Sequence, residues 1–185
     1  MKLNDIYDIS FNAKYIGNVH IQKRKFLKYK PYEVSLVELK KADQSDLSAM
    51  SRIARDWRGA IKYLIGNIEP SERILGITTQ TDNFEKLDSN KLLGIMQYYD
   101  EKKSILLARI QTRPDTKYCK VKSPLTSIFK QKREYKGIGG VLIDKLLELR
   151  NGKKVYLIAK KDAIPFYIKK GFKLDSVSER AMTYE

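Results

Sequence analysis

The chain of 185 residues has one cysteine, Cys119, and one histidine, His20. A single cysteine excludes an intramolecular disulfide, and one residue of each type is too few for a Cys/His zinc site. No apolar run approaches the ~20 residues that a membrane span needs. The opening MKLNDIYDISF has no long apolar stretch behind a basic flank, so no secretory signal is expected. Acidic side chains are scarce, with 22 Asp and Glu against 37 Lys and Arg, for a net charge of +15. These shortages predict a soluble protein in a reducing, cytoplasmic setting, with no metal site and no membrane partner.

What is present points to a folded chain. Hydrophobic residues make up 42%, above the range of disordered segments, and the length suits one domain with a real core. The expected organisation is a single domain over 1–185, with a basic N-terminal extension at 1–31 and an inserted basic loop at 113–132. The positive charge is concentrated there. Residues 1–32 hold seven Lys/Arg against two Asp, and residues 113–136 hold eight against Asp115 and Glu134. Such a field attracts nucleic acid, anionic lipid, an acidic protein or a phosphorylated small molecule. A solvated lysine-rich surface is the plain alternative.

Residues 14–32, KYIGNVHIQKRKFLKYKPY, read as a hairpin with Gly17-Asn18 as its turn signal, or as a loose basic arm. YEVSLVEL (32–39) is rich in β-formers. A helix is expected next, capped by Asp43 or Ser45. Leu47, Met50, Ile53, Ala54, Trp57, Ile61 and Leu64 would line its apolar face. RILGITT (73–79) reads as a strand, and 80–90 as a loop. KLLGIMQYY (91–99) and SILLARIQT (104–112) form a hairpin around DEKK. Gly139 to Arg150 reads as a helix, closed by Asn151-Gly152. KVYLIA (154–159) is a buried strand, 163–170 a short helix, and 172–174 and 180–184 terminal strands. The order implies a mixed α/β (α+β) layer fold.

The segment KREYKGIGG (132–140) carries the chemistry. Glycines at 137, 139 and 140 let backbone N–H groups approach a ligand closely. A helix N-terminus adds free N–H groups and partial positive charge, which suits a diphosphate. Lys132, Arg133 and Lys136 add full charges. A Walker P-loop is absent, since no Gly-Lys-Ser/Thr follows, and a Rossmann fingerprint fails at Leu142. A short glycine-rich turn capping an ordinary helix is the structural alternative.

EYKGIGGVLIDKLLEL followed by KKVYLIAKKDAIPFYIKKGFK resembles the GNAT superfamily of acyl-CoA-dependent N-acyltransferases. That family has a Q/R-x-x-G-x-G/A loop entering a helix, then a strand, then a short helix ending in Tyr-x-x-x-Gly-Phe. The resemblance is specific over Glu134 to Lys173 and only topological over 32–112. It implies a mixed, mostly antiparallel central sheet flanked by helices. It also implies acetyl transfer from acetyl-CoA to a primary amine, without a covalent enzyme intermediate.

By this resemblance Gly137, Ile138, Gly139 and Gly140 bind the coenzyme A pyrophosphate through backbone N–H groups, with Lys136 beside them. Glu134 stands where the family has Gln or Arg and is expected to face away, with Arg133 as the substitute cation. Ile110 and Thr112, on the strand before the loop, supply backbone contacts to the pantetheine and acyl group. Phe166 joins the cofactor-binding set. Tyr167 is the expected catalytic residue, donating a proton to the departing thiolate; a core Tyr beside Phe166 and Phe172 is the structural alternative. Lys160 replaces an Asn that often contacts the cofactor. No general base stands out. The amine acceptor is expected to be anionic, a protein or an aminoacyl-tRNA, and monomer and homodimer both stay open. A non-catalytic protein that binds nucleic acid or coenzyme A is the alternative function.

Overall fold

The computed structural model describes residues 10–11, 13–26, 28–39, 71–113, 133–176 and 178–185. The helix expected over 43–64, the inserted loop beyond Arg113, and Cys119 lie outside these residues.

Eleven strands are described: β1 (Ser10–Phe11), β2 (Ala13–Lys25), β3 (Lys28–Leu39), β4 (Glu72–Thr78), β5 (Leu87–Asp88), β6 (Leu92–Asp100), β7 (Ser104–Thr112), β8 (Tyr135–Lys136), β9 (Lys154–Ile158), β10 (Lys173–Leu174) and β11 (Ala181–Tyr184). Two helices accompany them, here α1 (Ile138–Leu149) and α2 (Ile164–Lys169). Nine strands form one sheet in the order β10-β11-β9-β7-β6-β4-β3-β2-β8, and β1 pairs with β5 apart from it. Every neighbouring pair in the large sheet is antiparallel except β7 and β9, which run parallel.

Sequence pattern explains the placement. β6 (LLGIMQYYD) is buried at every position from Leu92 to Tyr98, as a central strand covered on both faces must be. β9 alternates, with Val155 and Leu157 buried between exposed neighbours. α1 sends Ile138, Leu142, Ile143 and Leu146 inward, the three-and-four spacing of an amphipathic helix. They join one cluster with Leu75, Ile77, Met96, Ile105, Leu107, Val155 and Leu157. Each fully buried aliphatic side chain contributes about 1.5–3 kcal/mol, so this seam fixes α1 against the sheet.

Three expectations need correction. The hairpin of β2 and β3 does not turn at Gly17-Asn18. Both residues lie inside β2, opposite Leu36 and Ser35, and the chain turns at Phe26, just past the closing Lys25–Lys28 pair. The pairing of Val19 with Val34 and Ile21 with Tyr32 sets the register, and the extra residue is absorbed as a bulge between Tyr15 and Gly17. The stretch 80–90 is not all loop: short helical turns at Phe84–Lys86 and Ser89–Lys91 flank β5. Much of the basic 1–31 segment is thus a strand of the main sheet, and β3 begins at Lys28 rather than Tyr32. No helix among the described residues is long and apolar enough to cross a membrane.

Candidate active site

The site begins where β7 and β9 part. Their parallel pairing runs from Ser104–Lys154 to Leu107–Leu157 and stops. At the same point β7 is irregular toward β6: Tyr98 faces Leu107 and Gln97 faces Arg109, so Ala108 is the extra residue of a bulge. A bulge bends its strand, and here the bend coincides with the loss of β9 as a neighbour. Among the described residues, no strand pairs with that side of β7 from Ala108 to Thr112.

Backbone alternation says which groups face that opening. The Arg113 N–H donates to the Leu93 carbonyl on β6 at 2.9 Å. Successive residues of an antiparallel strand direct their N–H and C=O groups to opposite sides. Thr112 and Ile110, one and three residues back, therefore turn theirs away from β6, into the gap.

α1 starts beside this gap. Gly137 is its N-cap with φ 89°, no side chain caps the helix, and the first intrahelical bond is from Val141 N–H to the Gly137 carbonyl at 2.9 Å. The amides of Ile138, Gly139 and Gly140 precede that bond, and they carry the positive end of the helix dipole. A Cβ built on Gly139 would stand 3.9 Å from Ile110 Cδ1, 3.9 Å from Phe166 Cζ and 4.0 Å from Thr112 Cγ2. Residues expected from the sequence to serve one site thus converge on a hollow the size of a methyl group. A glycine keeps that space open, and the amides at the helix start are donors of the kind that suit a phosphate.

Tyr167 is 7% exposed. Its ring packs edge-on against Phe166, 5.1 Å between centroids, and Phe172, 5.7 Å. Burial pushes its phenol above the ordinary value of 10.0, so the group keeps its proton at neutral pH. The core alternative and the site alternative meet here: the ring is packed in the hydrophobic cluster, directly beside the Phe166 that reaches Gly139.

Lys136 holds its ammonium 3.6 Å from the centre of the Tyr29 ring, and the Arg133 carbonyl accepts from Tyr29 Oη at 2.9 Å. Lys136 thus meets the β2–β3 hairpin through its side chain, and Arg133 through its backbone. Glu134 points the same way, with its carboxylate 3.6 Å from Lys23, which answers how an acidic residue is tolerated in this loop. Lys160 is exposed at the end of β9. Two residues the sequence did not single out shape the site. Lys170 Nζ lies 3.4 Å from the Cβ position of Gly140 and bonds both Asp144 oxygens at 2.6 Å. Gly94 lets Ile138 seat against β6; a lone glycine inside an apolar strand was the available signal. Among the described residues no group of three or more His, Cys, Asp or Glu is placed to hold a metal.

No protein-family model matches the sequence, and no curated protein matches it. Solved structures do match in shape. The PaiA N-acetyltransferase of Thermoplasma acidophilum, in complex with coenzyme A, aligns over 82% of this chain and 99% of its own at 16% identity, TM-score 0.52. YhhK of E. coli, also bound to coenzyme A, aligns over 82% and 98% at 13% identity, TM-score 0.52. The fold is that of the GNAT N-acetyltransferases: an α+β architecture on a mixed, mostly antiparallel sheet.

Proposed function

We propose that the protein transfers an acyl group, acetyl in the simplest case, from acetyl-CoA to a primary amine. The observation that carries this is the convergence of Gly139, Ile110, Thr112 and Phe166 at an uncapped helix start beside an open strand edge. The amides of Gly137 to Gly140 take the diphosphate, and the open backbone of Ile110 and Thr112 takes the pantetheine and the thioester carbonyl. Preorganised N–H donors there stabilise the oxyanion that develops on attack. The amine nitrogen forms a bond to the acyl carbon, the C–S bond breaks, Tyr167 gives its proton to the leaving thiolate, and the proton lost by the nitrogen passes to water, from which Tyr167 is reprotonated. The solved neighbours bound to coenzyme A support this reading by fold, and the positive charge of the chain favours an anionic acceptor such as a protein or an aminoacyl-tRNA.

The test is calorimetric titration with acetyl-CoA, then a turnover screen of small amines, peptides and charged tRNA. Saturable acetyl-CoA binding with release of free thiol in the presence of one acceptor class is expected. A protein that does not bind acetyl-CoA at all would overturn the proposal.

A further inference from the structure

The far end of the β2–β3 hairpin carries features that cost stability. Lys25 lies directly opposite Lys28, and Lys23 directly opposite Lys30. Side chains two residues apart share a face, about 6.7 Å from one another, so the four ammonium groups stand on one face in two ranks. Like charges directly opposite destabilise a strand pair. Lys23 has Glu134 at 3.6 Å and the rings of Tyr32 and Tyr135 at 4.7 and 5.3 Å; among the described residues no carboxylate reaches Lys25, Lys28 or Lys30. Arg24 adds a fifth cation, its Nε bonded to the Phe26 carbonyl at 2.8 Å.

Phe26 sits in the turn itself. It is 96% exposed and holds φ at 55°, a left-handed conformation that Gly and Asn adopt easily and bulky side chains resist. The chain thus places a phenyl ring in water at a position where a smaller residue would be more stable.

A ligand with closely spaced negative charges and exposed flat faces offsets both costs. An acidic peptide would answer the lysines but not the ring. A duplex would answer the lysines but keeps its base faces stacked inside. We propose that the tip of the β2–β3 hairpin binds single-stranded nucleic acid, with phosphates along Lys23, Lys25, Lys28 and Lys30 and an unpaired base stacked on Phe26. The surface is held next to the candidate active site, because β8 pairs with β2 at Gln22–Lys136 and Lys23–Tyr135 and leads directly into Gly137. The inference rests on the hairpin alone and stands whether or not the protein transfers acyl groups.

The experiment is fluorescence anisotropy with a labelled oligouridylate of about 16 nucleotides, across a salt series, on the full chain. Four phosphate contacts give a log–log salt slope of about −3, and the double variant Lys25→Gln, Lys28→Gln loses about 1.4 of that steepness. Phe26→Asn weakens binding about tenfold while its melting temperature holds or rises, so the loss cannot come from unfolding. Acetyl-CoA titration of the same variants is expected to match the unaltered protein, which separates this surface from the acyl-CoA site. Absence of oligonucleotide binding at low salt overturns the proposal. So does an unchanged slope in the lysine variant, unchanged affinity in Phe26→Asn, or equal competition by a duplex of the same length.

Discussion

Gly94 lies so close under Ile138 that a Cβ on the glycine would stand 2.4 Å from Ile138 Cγ2. The start of α1 is positioned by that contact. Gly94→Ala must push the helix off β6 or force Ile138 from its rotamer, and overpacking of this kind costs about 1–3 kcal/mol. Urea unfolding is expected to show that loss, and acetyl-CoA titration a parallel drop in affinity, since the displaced amides are those of the cradle.

Two glycines of the cradle are expected to respond differently. Gly137 has φ 89° with open space around its Cβ position, so Gly137→Ala fails through the backbone, at about 1–2 kcal/mol. Gly139 is helical and an added methyl meets only ordinary contacts. Gly139→Ala should therefore fold as well as the parent or better, because alanine is the stronger helix former. It should still bind acetyl-CoA about tenfold more weakly or worse, through a lost hydrogen bond to a charged group. Thermal melts beside calorimetry separate the two cases.

Tyr167→Phe keeps the ring packing and removes only the proton. The expected outcome is a fall in kcat of about a hundredfold, with acetyl-CoA affinity nearly unchanged. The pH profile gives a second check. A general acid works in its protonated form, and burial raises this phenol above 10.0. The limb owed to Tyr167 is thus an activity loss as pH rises beyond 10, and none should be seen between pH 6 and 9. Unchanged turnover in the variant would remove Tyr167 from the mechanism.

Tyr98 links the core to alkaline stability. Burial, reinforced by the Glu38 and Asp100 charges, pushes its phenol from 10.0 up to about 12. In the unfolded chain it ionises near 10.0, so the folded state binds the proton more tightly. The resulting stability is complete below pH 10 and is lost as pH rises toward 12. Denaturation curves across that window should fall steeply for the parent and less steeply for Tyr98→Phe.

The parts of this structure that local chemistry dictates were legible in the sequence. The apolar spacing of Leu142, Ile143 and Leu146 and the closing Asn151-Gly152 placed α1 within one residue of its observed Ile138–Leu149. The apolar runs of β6, β7 and β9 were equally plain. The meeting of Ile110, Thr112, Gly139 and Phe166 was read only through the family likeness, because no local pattern says that distant residues share a hollow. What escaped was set by partners. Gly17-Asn18 carries a turn signal, but cross-strand pairing outweighed it. β8 is two residues long and has no periodicity to read. The bulge at Ala108 exists only relative to β6. The direction of Lys136 was decided by the Tyr29 ring, contributed from the other end of the chain.

That last contact bears on how the protein assembles. Tyr29 and Arg133 are bonded across 104 residues of sequence, and β2 with β8 closes the sheet at the same place. Closing so large a loop costs chain entropy before any contact compensates, and proteins dominated by such contacts fold slowly. Support of the glycine loop thus depends on contacts with residues far away in sequence. An amino-terminal truncation that removes β2 but spares every residue proposed for the acyl-CoA site would still release β8, and with it the loop that α1 grows from.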